Sequence, residues 1–375
     1  MIRPQVESNP VSPGSIAGSL LLRLLGKYSP TGMEDEAVQE LASWAEERGL
    51  KFWIDSAGSV FIAPREVSSI NVLLAGHIDT VPGWIEPGSG NDRIWGRGAV
   101  DAKGPLASMA TGLLLLSKKH SSCPAAVAGL VGEEGDSRGA WRLVRDGLVP
   151  PFVIIGEPSG GDKVVVGYRG GFHVEVECRG SGGHSSSPHL GDSALDKAIK
   201  LVGAVKTLFN PEDPSGPSIA VTGFEAWEGW NVLPRKAYLR LDVRVPLGLD
   251  DSVVALELAY VIKSHGCMGV FHPGLKPVRV SVNSPVPRSL SRSLILHGVK
   301  PRPVVKRGTS DMNILGLHTE SIAAYGPGDS SMAHTDMEVV GVGELGLAAE
   351  VYERSILELC RRSTGGRRVS IRDLV

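Results

Sequence analysis

The chain has 375 residues, 47 of them glycine, with 42% hydrophobic and 21% charged residues; this excludes disorder as the main state and leaves room for two domains. Lys plus Arg number 39 against 41 Asp plus Glu, a net charge of -2, so no global field exists to hold nucleic acid or an anionic membrane, and neither is expected as a partner. The four cysteines, Cys123, Cys178, Cys267 and Cys360, stand far apart without a CxxC pair, which argues against a zinc finger, a redox motif and a disulfide scaffold and predicts a reducing cytoplasm.

The start, Met1 to Ser15, has no apolar core, and the run Ile16 to Leu25 is broken by Arg23, so no signal peptide is expected. No apolar stretch approaches bilayer-spanning length. Helical spacing follows over Ser15 to Lys27 and Met33 to Arg48, the second opened by Thr31 three residues before Glu34, a capping-box pattern. Four short apolar runs, Asn71 to Gly76, Ala125 to Gly132, Phe152 to Gly156 and Ser321 to Tyr325, read as strands buried on both faces. With helices over Gly104 to Lys119 and Arg138 to Asp146 between them, they predict an α/β domain with a mostly parallel sheet.

From Gly171 to about Ser284 the pattern changes. An alternating strand (Phe172 to Cys178), a helix (Asp192 to Phe209), two strands (Ser218 to Trp227, Lys236 to Val245), a helix (Asp251 to Ser264) and a last strand (Val278 to Val282) make a β-α-β-β-α-β, ferredoxin-like unit. A sheet strand and a long helix, Gly343 to Arg361, follow it. The expected division is therefore 1–170 with 285–375 as one domain and 171–284 as an α+β insertion. No repeats or low-complexity segments are present.

Metal-ligand residue types stand just after each apolar run: His77 and Asp79, Glu133 and Glu134, Glu157, and, beyond Gly326, His334. Asp101 adds a carboxylate just before a helix. Ligands bind outside the carboxyl ends of strands in open parallel sheets, so these residues should converge. So many carboxylates repel unless cations compensate, and His/Asp/Glu donors without thiolate suit Zn²⁺, with Co²⁺ or Mn²⁺ as substitutes. Two metals need about five ligands with one shared, a number that His77, Asp101, Glu134, Glu157 and His334 supply. Glu133 then takes a proton from water, and Asp79 orients the His77 ring.

At these residues the sequence resembles the M20 family of dinuclear zinc amidohydrolases and peptidases. The motifs are Gly76-His77-Ile78-Asp79-Thr80-Val81-Pro82, Trp95-Gly96-Arg97-Gly98-Ala99-Val100-Asp101-Ala102-Lys103-Gly104, Gly132-Glu133-Glu134-Gly135, Gly156-Glu157-Pro158, Gly182-Gly183-His184-Ser185-Ser186, Gly308-Thr309-Ser310-Asp311 and Ala333-His334. The resemblance spans about residues 15 to 361. It implies a zinc-peptidase-like catalytic domain holding two Zn²⁺ per subunit, with Co²⁺ a possible substitute, and an inserted lid that forms a homodimer. Asp101 becomes the bridging carboxylate, with His77 and Glu157 on one metal, Glu134 and His334 on the other, and Glu133 the general base. His184 matches a lid histidine that polarises the scissile carbonyl in the neighbouring subunit. Asn231, Arg244, Gly308 and Thr309 match substrate-binding positions, and the Asp101-Ala102 peptide is expected to be cis.

Asp101-Ala102-Lys103-Gly104-Pro105-Leu106, Val166-Gly167-Tyr168-Arg169-Gly170 and Lys306-Arg307-Gly308-Thr309-Ser310-Asp311 look most like the branch that hydrolyses amino-group carrier protein conjugates of lysine and ornithine. The implied partner is an acidic carrier protein, met by a basic rim for which Arg169, Lys306 and Arg307 are candidates. Acetylornithine deacetylase-like and succinyl-diaminopimelate desuccinylase-like activities remain alternatives, and the acyl side stays open. A different class is suggested by Gly135-Asp136-Ser137-Arg138-Gly139, which fits the G-x-S-x-G elbow of a serine hydrolase; against it, Glu133 and Glu134 crowd the elbow and no oxyanion loop of HGGG type is visible. A non-catalytic metal- or peptide-binding protein is disfavoured because Glu133 is present. Gly180 to Gly183 lacks a phosphate-loop order and reads as a turn presenting His184. The other histidines read as surface or packing residues.

Overall fold

The computed structural model describes residues 12–209, 213, 215–362 and 368–374; most of the leader reading, residues 1–11, lies outside them. The chain divides into two compact units, one of residues 1–166, 280–304 and 314–375, the other of 167–279 and 305–313. The second unit holds most of the expected insertion 171–284 together with segment 305–313, far along the chain.

In the first unit three parallel pairings form the sheet centre, Val72–His77 with Ala125–Leu130, Val72–His77 with Phe152–Gly156, and Phe152–Gly156 with Ser321–Tyr325. Every residue of these four strands is buried, which is why they read as unbroken apolar runs rather than as alternation. The flanks are antiparallel: the hairpin Lys51–Ile54 and Val60–Ala63 at one side, Lys163–Tyr168 beside Ser321–Tyr325 at the other. The sheet is therefore parallel at its centre and mixed overall.

The helices Pro13–Leu25, Lys103–Lys119, Pro285–Leu296 and Val342–Arg362 share one apolar core with the strands. Ser12 caps the first helix, its Oγ accepting from Ser15 N–H at 3.1 Å. Lys103–Lys119 lies so close to Val342–Arg362 that a Cβ at Gly112 would stand 2.7 Å from Ala349 O. Thr31 does not cap the second helix, Asp35–Glu47, whose N-cap is Glu34 without a side-chain hydrogen bond; its hydroxyl is used in the site described below.

The second unit contains a four-stranded antiparallel sheet in the order Ser218–Glu225, Lys236–Val245, Gly170–Arg179, Cys267–Phe271. Along Gly170–Arg179 burial alternates, and the buried face shares a core with Ala194–Leu208 and Asp251–Ser264. Ser193 and Asp250 cap those helices. The chain order is β-α-β-β-α-β, but the last strand is Cys267–Phe271, not Val278–Val282. Gly266, at φ 71°, turns the chain straight from helix to strand, whereas Val278 and Arg279 pair with Tyr168 and Gly167.

The cysteines also differ from expectation. Cys123 bonds Cys360 and Cys178 bonds Cys267, across 237 and 89 residues. Cys178 and Cys267 face each other in register on adjacent strands, and packing of the last long helix against Lys103–Lys119 brings Cys360 to Cys123. Separation in sequence carries no information about either meeting. The cysteine argument for a reducing compartment falls with it, since that argument took the cysteines as unpaired and all four are in disulfides. Among the described residues no helix is long and apolar enough to cross a membrane.

Candidate metal centre

The expected ligands gather at the carboxyl ends of the parallel strands. His77 ends Val72–His77, Glu157 directly follows Phe152–Gly156, Glu133 and Glu134 follow Ala125–Leu130, and His334 follows Ser321–Tyr325 after a short 3-10 turn. Asp101 stands between the strand Arg93–Trp95 and the helix Lys103–Lys119, and the Asp101-Ala102 peptide is cis. In-register parallel pairing puts these strand ends on one edge.

Ligand atoms of His77, Asp101 and Glu134 all lie within 4.8 Å of one another. His77 Nε2 is 3.2 Å from Asp101 Oδ1 and 4.0 Å from Glu157 Oε1. His334 Nε2 is 2.8 Å from Glu134 Oε1 and 3.5 Å from Asp101 Oδ2. Asp101 therefore turns one oxygen to each imidazole, with Glu157 on the His77 side and Glu134 on the His334 side.

Burial disfavours the His77 imidazolium, but Asp101, Asp79 and the Glu133 charge outweigh it and raise its pKa well above the ordinary value. Asp101 and Glu134 push His334 up to about 10. Both shifts have the same cause, carboxylates crowded around the imidazoles, and such a cluster favours positive charge, which a bound cation would supply. Two imidazoles and three carboxylates without thiolate fit Zn²⁺ and its divalent neighbours. His334 holds φ at 62°, a left-handed conformation that costs a non-glycine residue about 1–2 kcal/mol, and such strain collects at functional sites.

Asp79, fully buried, ties the site together. Its Oδ1 accepts from Glu133 N–H at 3.1 Å, and its Oδ2 from Glu134 N–H at 3.1 Å and from Thr31 Oγ1 at 2.6 Å. His77 Nδ1 lies 2.9 Å from Asp79 O and 3.6 Å from Asp79 Oδ1, which leaves Nε2 facing Asp101. Burial opposes the Asp79 charge, yet His77, Thr31 and Glu134 N–H hold its pKa below the ordinary value. Gly132, at φ 82°, makes the turn before the two glutamates, and a Cβ there would stand 2.4 Å from Asp136 Oδ1.

Three residues around the site were not singled out by sequence. Lys103 is buried and donates to Leu24 O and Lys27 O at 3.0 and 2.8 Å, and burial lowers its pKa to about 7. Arg97 and Glu338 pair at 2.8 Å behind the Asp101 loop. The available signals were weak: Lys103 and Arg97 lie inside a motif quoted for its carboxylate, and Glu338 follows His334 by four positions.

The other expected site residues belong to the second unit. His184 is exposed, and its Nδ1 accepts from Ser186 N–H at 3.1 Å. Asn231 O accepts from Ser185 N–H at 3.1 Å, which sets Asn231 beside the His184 turn. Arg244 donates to Asp242 Oδ2 at 2.8 Å and Thr309 Oγ1 at 3.2 Å, next to exposed Gly308. Of the expected rim cations, Arg307 is exposed and Lys306 Nζ lies 5.7 Å from the Tyr168 ring centroid. Arg169 is buried, and burial together with Arg307 lowers its pKa, so it is no exposed rim charge. Ser137 begins the helix Arg138–Arg145 at φ 50°; no histidine hydrogen-bonds its hydroxyl among the described residues.

The family model described as Peptidase family M20/M25/M40 matches residues 73–358. A relative from Aeropyrum pernix, provisionally named LysW-lysine/LysW-ornithine hydrolase, is 44% identical over 346 residues, 92% of this chain and 96% of its own. The LysW-lysine/LysW-ornithine hydrolase of Saccharolobus islandicus is 39% identical over 92% of this chain and 97% of its own. Among solved structures, aminopeptidase PepT of Bacillus cereus superposes with a TM-score of 0.77 at 20% identity, covering 94% of this chain and all of its own. The M20 metallo-carboxypeptidase Sso-CP2 of Sulfolobus solfataricus gives 0.74 at 20%, covering 92% and 99%. The Bacillus subtilis YXEP protein, described as a dinuclear metal-binding M20 peptidase, gives 0.70 at 14%, covering 92% and 99%. The chain belongs to the peptidase family M20/M25/M40, whose fold it has and whose metal-binding character its clustered His, Asp and Glu side chains match.

Proposed function

We propose that this chain is a metal-dependent hydrolase that cleaves the amide or isopeptide bond joining lysine or ornithine to an acidic amino-group carrier protein. The observation that carries the reading is Asp101 set between two imidazole-carboxylate pairs; the LysW-lysine/LysW-ornithine names of relatives 38 and 39% identical over 92% of the chain support the substrate. Two Zn²⁺ per subunit, or Co²⁺ in their place, would be held by His77 and Glu157, by Glu134 and His334, and by Asp101 shared between them. When bound, such ions polarise the scissile carbonyl and lower the pKa of water.

Glu133 takes the proton of the attacking water and passes it to the leaving amine. Asp79 holds the Glu133 turn by its main chain and orients His77. Because Ser186 N–H donates to Nδ1 of His184, the ring proton sits on Nε2, a donor for the carbonyl oxygen as negative charge builds there. Arg244, oriented by Asp242 and Thr309, receives the carboxylate of the released amino acid, and Asn231 and Gly308 line the same substrate. In this reading residues 1–170 and 285–375 are the catalytic domain and 171–284 a lid that forms the homodimer, with His184 serving the neighbouring subunit. Lys306 and Arg307 meet the acidic carrier. The setting is cytoplasmic, and neither nucleic acid nor a membrane is a partner.

The test offers the purified protein a lysine-charged carrier, acetylornithine and succinyl-diaminopimelate side by side, before and after chelation. Lysine release that stops on chelation and returns with zinc or cobalt is expected. Preferential hydrolysis of either small substrate would move the assignment to a deacylase. Activity that survives chelation and disappears in Ser137→Ala would replace the metal reading with the serine one.

A further inference from the structure

A buried ion pair outside the ligand set connects two of the loops that carry ligands. The strands Arg93–Trp95 and Val339–Gly341 pair antiparallel, Trp95 opposite Val339 and Arg93 opposite Gly341. The segment leaving the first strand, 96–101, therefore lies beside the segment entering the second, 334–338. One ends at Asp101 and the other begins at His334.

Glu338, 1% exposed, fills the gap. Its Oε2 accepts from the backbone N–H groups of Gly98, Val100 and Asp101 at 3.1, 3.1 and 3.2 Å. Its Oε1 accepts from Arg97 Nη1 at 2.8 Å. Arg97 in turn donates from Nη1 to Thr335 O at 2.8 Å and from Nη2 to Asp336 Oδ1 at 3.1 Å. Three N–H groups converging on one oxygen form a concave nest that favours an anion, and a buried N–H without an acceptor is costly. The carboxylate thus shapes the Asp101 loop from behind, while the guanidinium fork grips the turn just after His334.

We propose that Glu338, acting with Arg97, is a positioning residue that sets the distance between Asp101 and His334, so that Asp101 Oδ2 and His334 Nε2, 3.5 Å apart, can reach one cation. The inference rests on the reading in which Asp101 and His334 hold metal. Glu338 works through the main chain: Asp101 contributes its own N–H to the nest, so a change at Glu338 moves the backbone from which the ligand projects. A glutamate is needed for reach, because the same carboxylate spans from the nest to Arg97. An amide at 338 presents either a donor to the nest or a donor to the guanidinium. Either orientation breaks one half of the connection.

The experiment titrates metal-free protein with Co²⁺, read by calorimetry and visible absorption, in the wild type, Glu338→Gln, Arg97→Lys and Asp101→Asn. Glu338→Gln is expected to weaken Co²⁺ binding by about 10- to 100-fold, the range typical of groups that hold a ligand in place, and to change the cobalt absorption bands. Arg97→Lys keeps the cation but loses the fork and should do the same to a smaller extent; it decides the matter if Glu338→Gln does not fold. A residue that merely stabilised the fold would lower the unfolding temperature and leave the cobalt bands of the folded protein unchanged. Folded Glu338→Gln and Arg97→Lys proteins with wild-type affinity and bands, alongside an Asp101→Asn protein that loses metal, would overturn the inference and leave the metal reading standing. An Asp101→Asn protein with unchanged affinity and bands would remove the metal reading, and this inference with it.

Discussion

Replacing Asp79 by Asn tests how the site is held. Asp79 accepts three hydrogen bonds on two oxygens, from Glu133 N–H, Glu134 N–H and Thr31 Oγ1. The amide has one oxygen and two donor hydrogens, so in its best orientation it keeps Thr31 and Glu134 and turns a donor toward Glu133 N–H. One unsatisfied buried donor costs about 1–3 kcal/mol, and a bond to a charged acceptor exceeds a neutral one by about 1 kcal/mol. Together these make about 2–4 kcal/mol at the Glu133-Glu134 turn, an upper value because the amide also removes the need to bury a charge. With two compact units, global unfolding need not be two-state; the fitting assay is amide hydrogen exchange over 131–136, where that loss speeds exchange by roughly 30- to 1,000-fold. Thr31→Val removes one bond and leaves both N–H acceptors in place, so it should speed exchange less. Metal affinity should fall with Asp79→Asn by about 10- to 100-fold. Exchange at this turn that matches the wild type in folded Asp79→Asn would refute the argument that the carboxylate holds it.

Four further outcomes are expected. Glu133→Gln should cut turnover by about 10² or more with metal content nearly unchanged, whereas Glu134→Gln should lower metal occupancy; equal metal loss in both would contradict the roles. Mixed His184→Ala and Glu133→Gln chains, each nearly inactive, should regain activity on forming heterodimers, and exchanged heterodimers without activity would place His184 outside the neighbouring site. Charge reversal at Lys306 or Arg307 should raise KM for the carrier-linked substrate with little change in kcat, and added salt should do the same because exposed charges are screened beyond roughly 8–10 Å; an identical salt response with a small acetylated substrate would speak against carrier docking there. For loops of 237 and 89 residues the chain-entropy relation assigns each disulfide about 4.5–5.5 kcal/mol as an upper value, so reduction should lower the denaturant midpoint markedly, and four titratable thiols in the native protein would disprove the pairing.

The sequence alone was enough for the four buried strands, because strands covered on both faces must be apolar throughout, and for the meeting of His77, Asp101, Glu134, Glu157 and His334 in space, because parallel strands in register bring the residues just past their carboxyl ends to one edge. It also carried the first five elements of the second unit, in the order β-α-β-β-α. The mixed edges of the large sheet were not legible, since pairing direction leaves no mark on local composition, and the strand Cys267–Phe271 went unseen because it is five residues long and half exposed. Thr31 matched a capping box by spacing, yet its hydroxyl reaches Asp79, 48 residues away. Cys123 and Cys360, Arg97 and Glu338, and the segment 305–313 were decided by tertiary structure alone. Each depends on chain segments that meet only after the sheet and helices have packed, and a one-dimensional pattern records which residues can form an element but not which distant element they will touch.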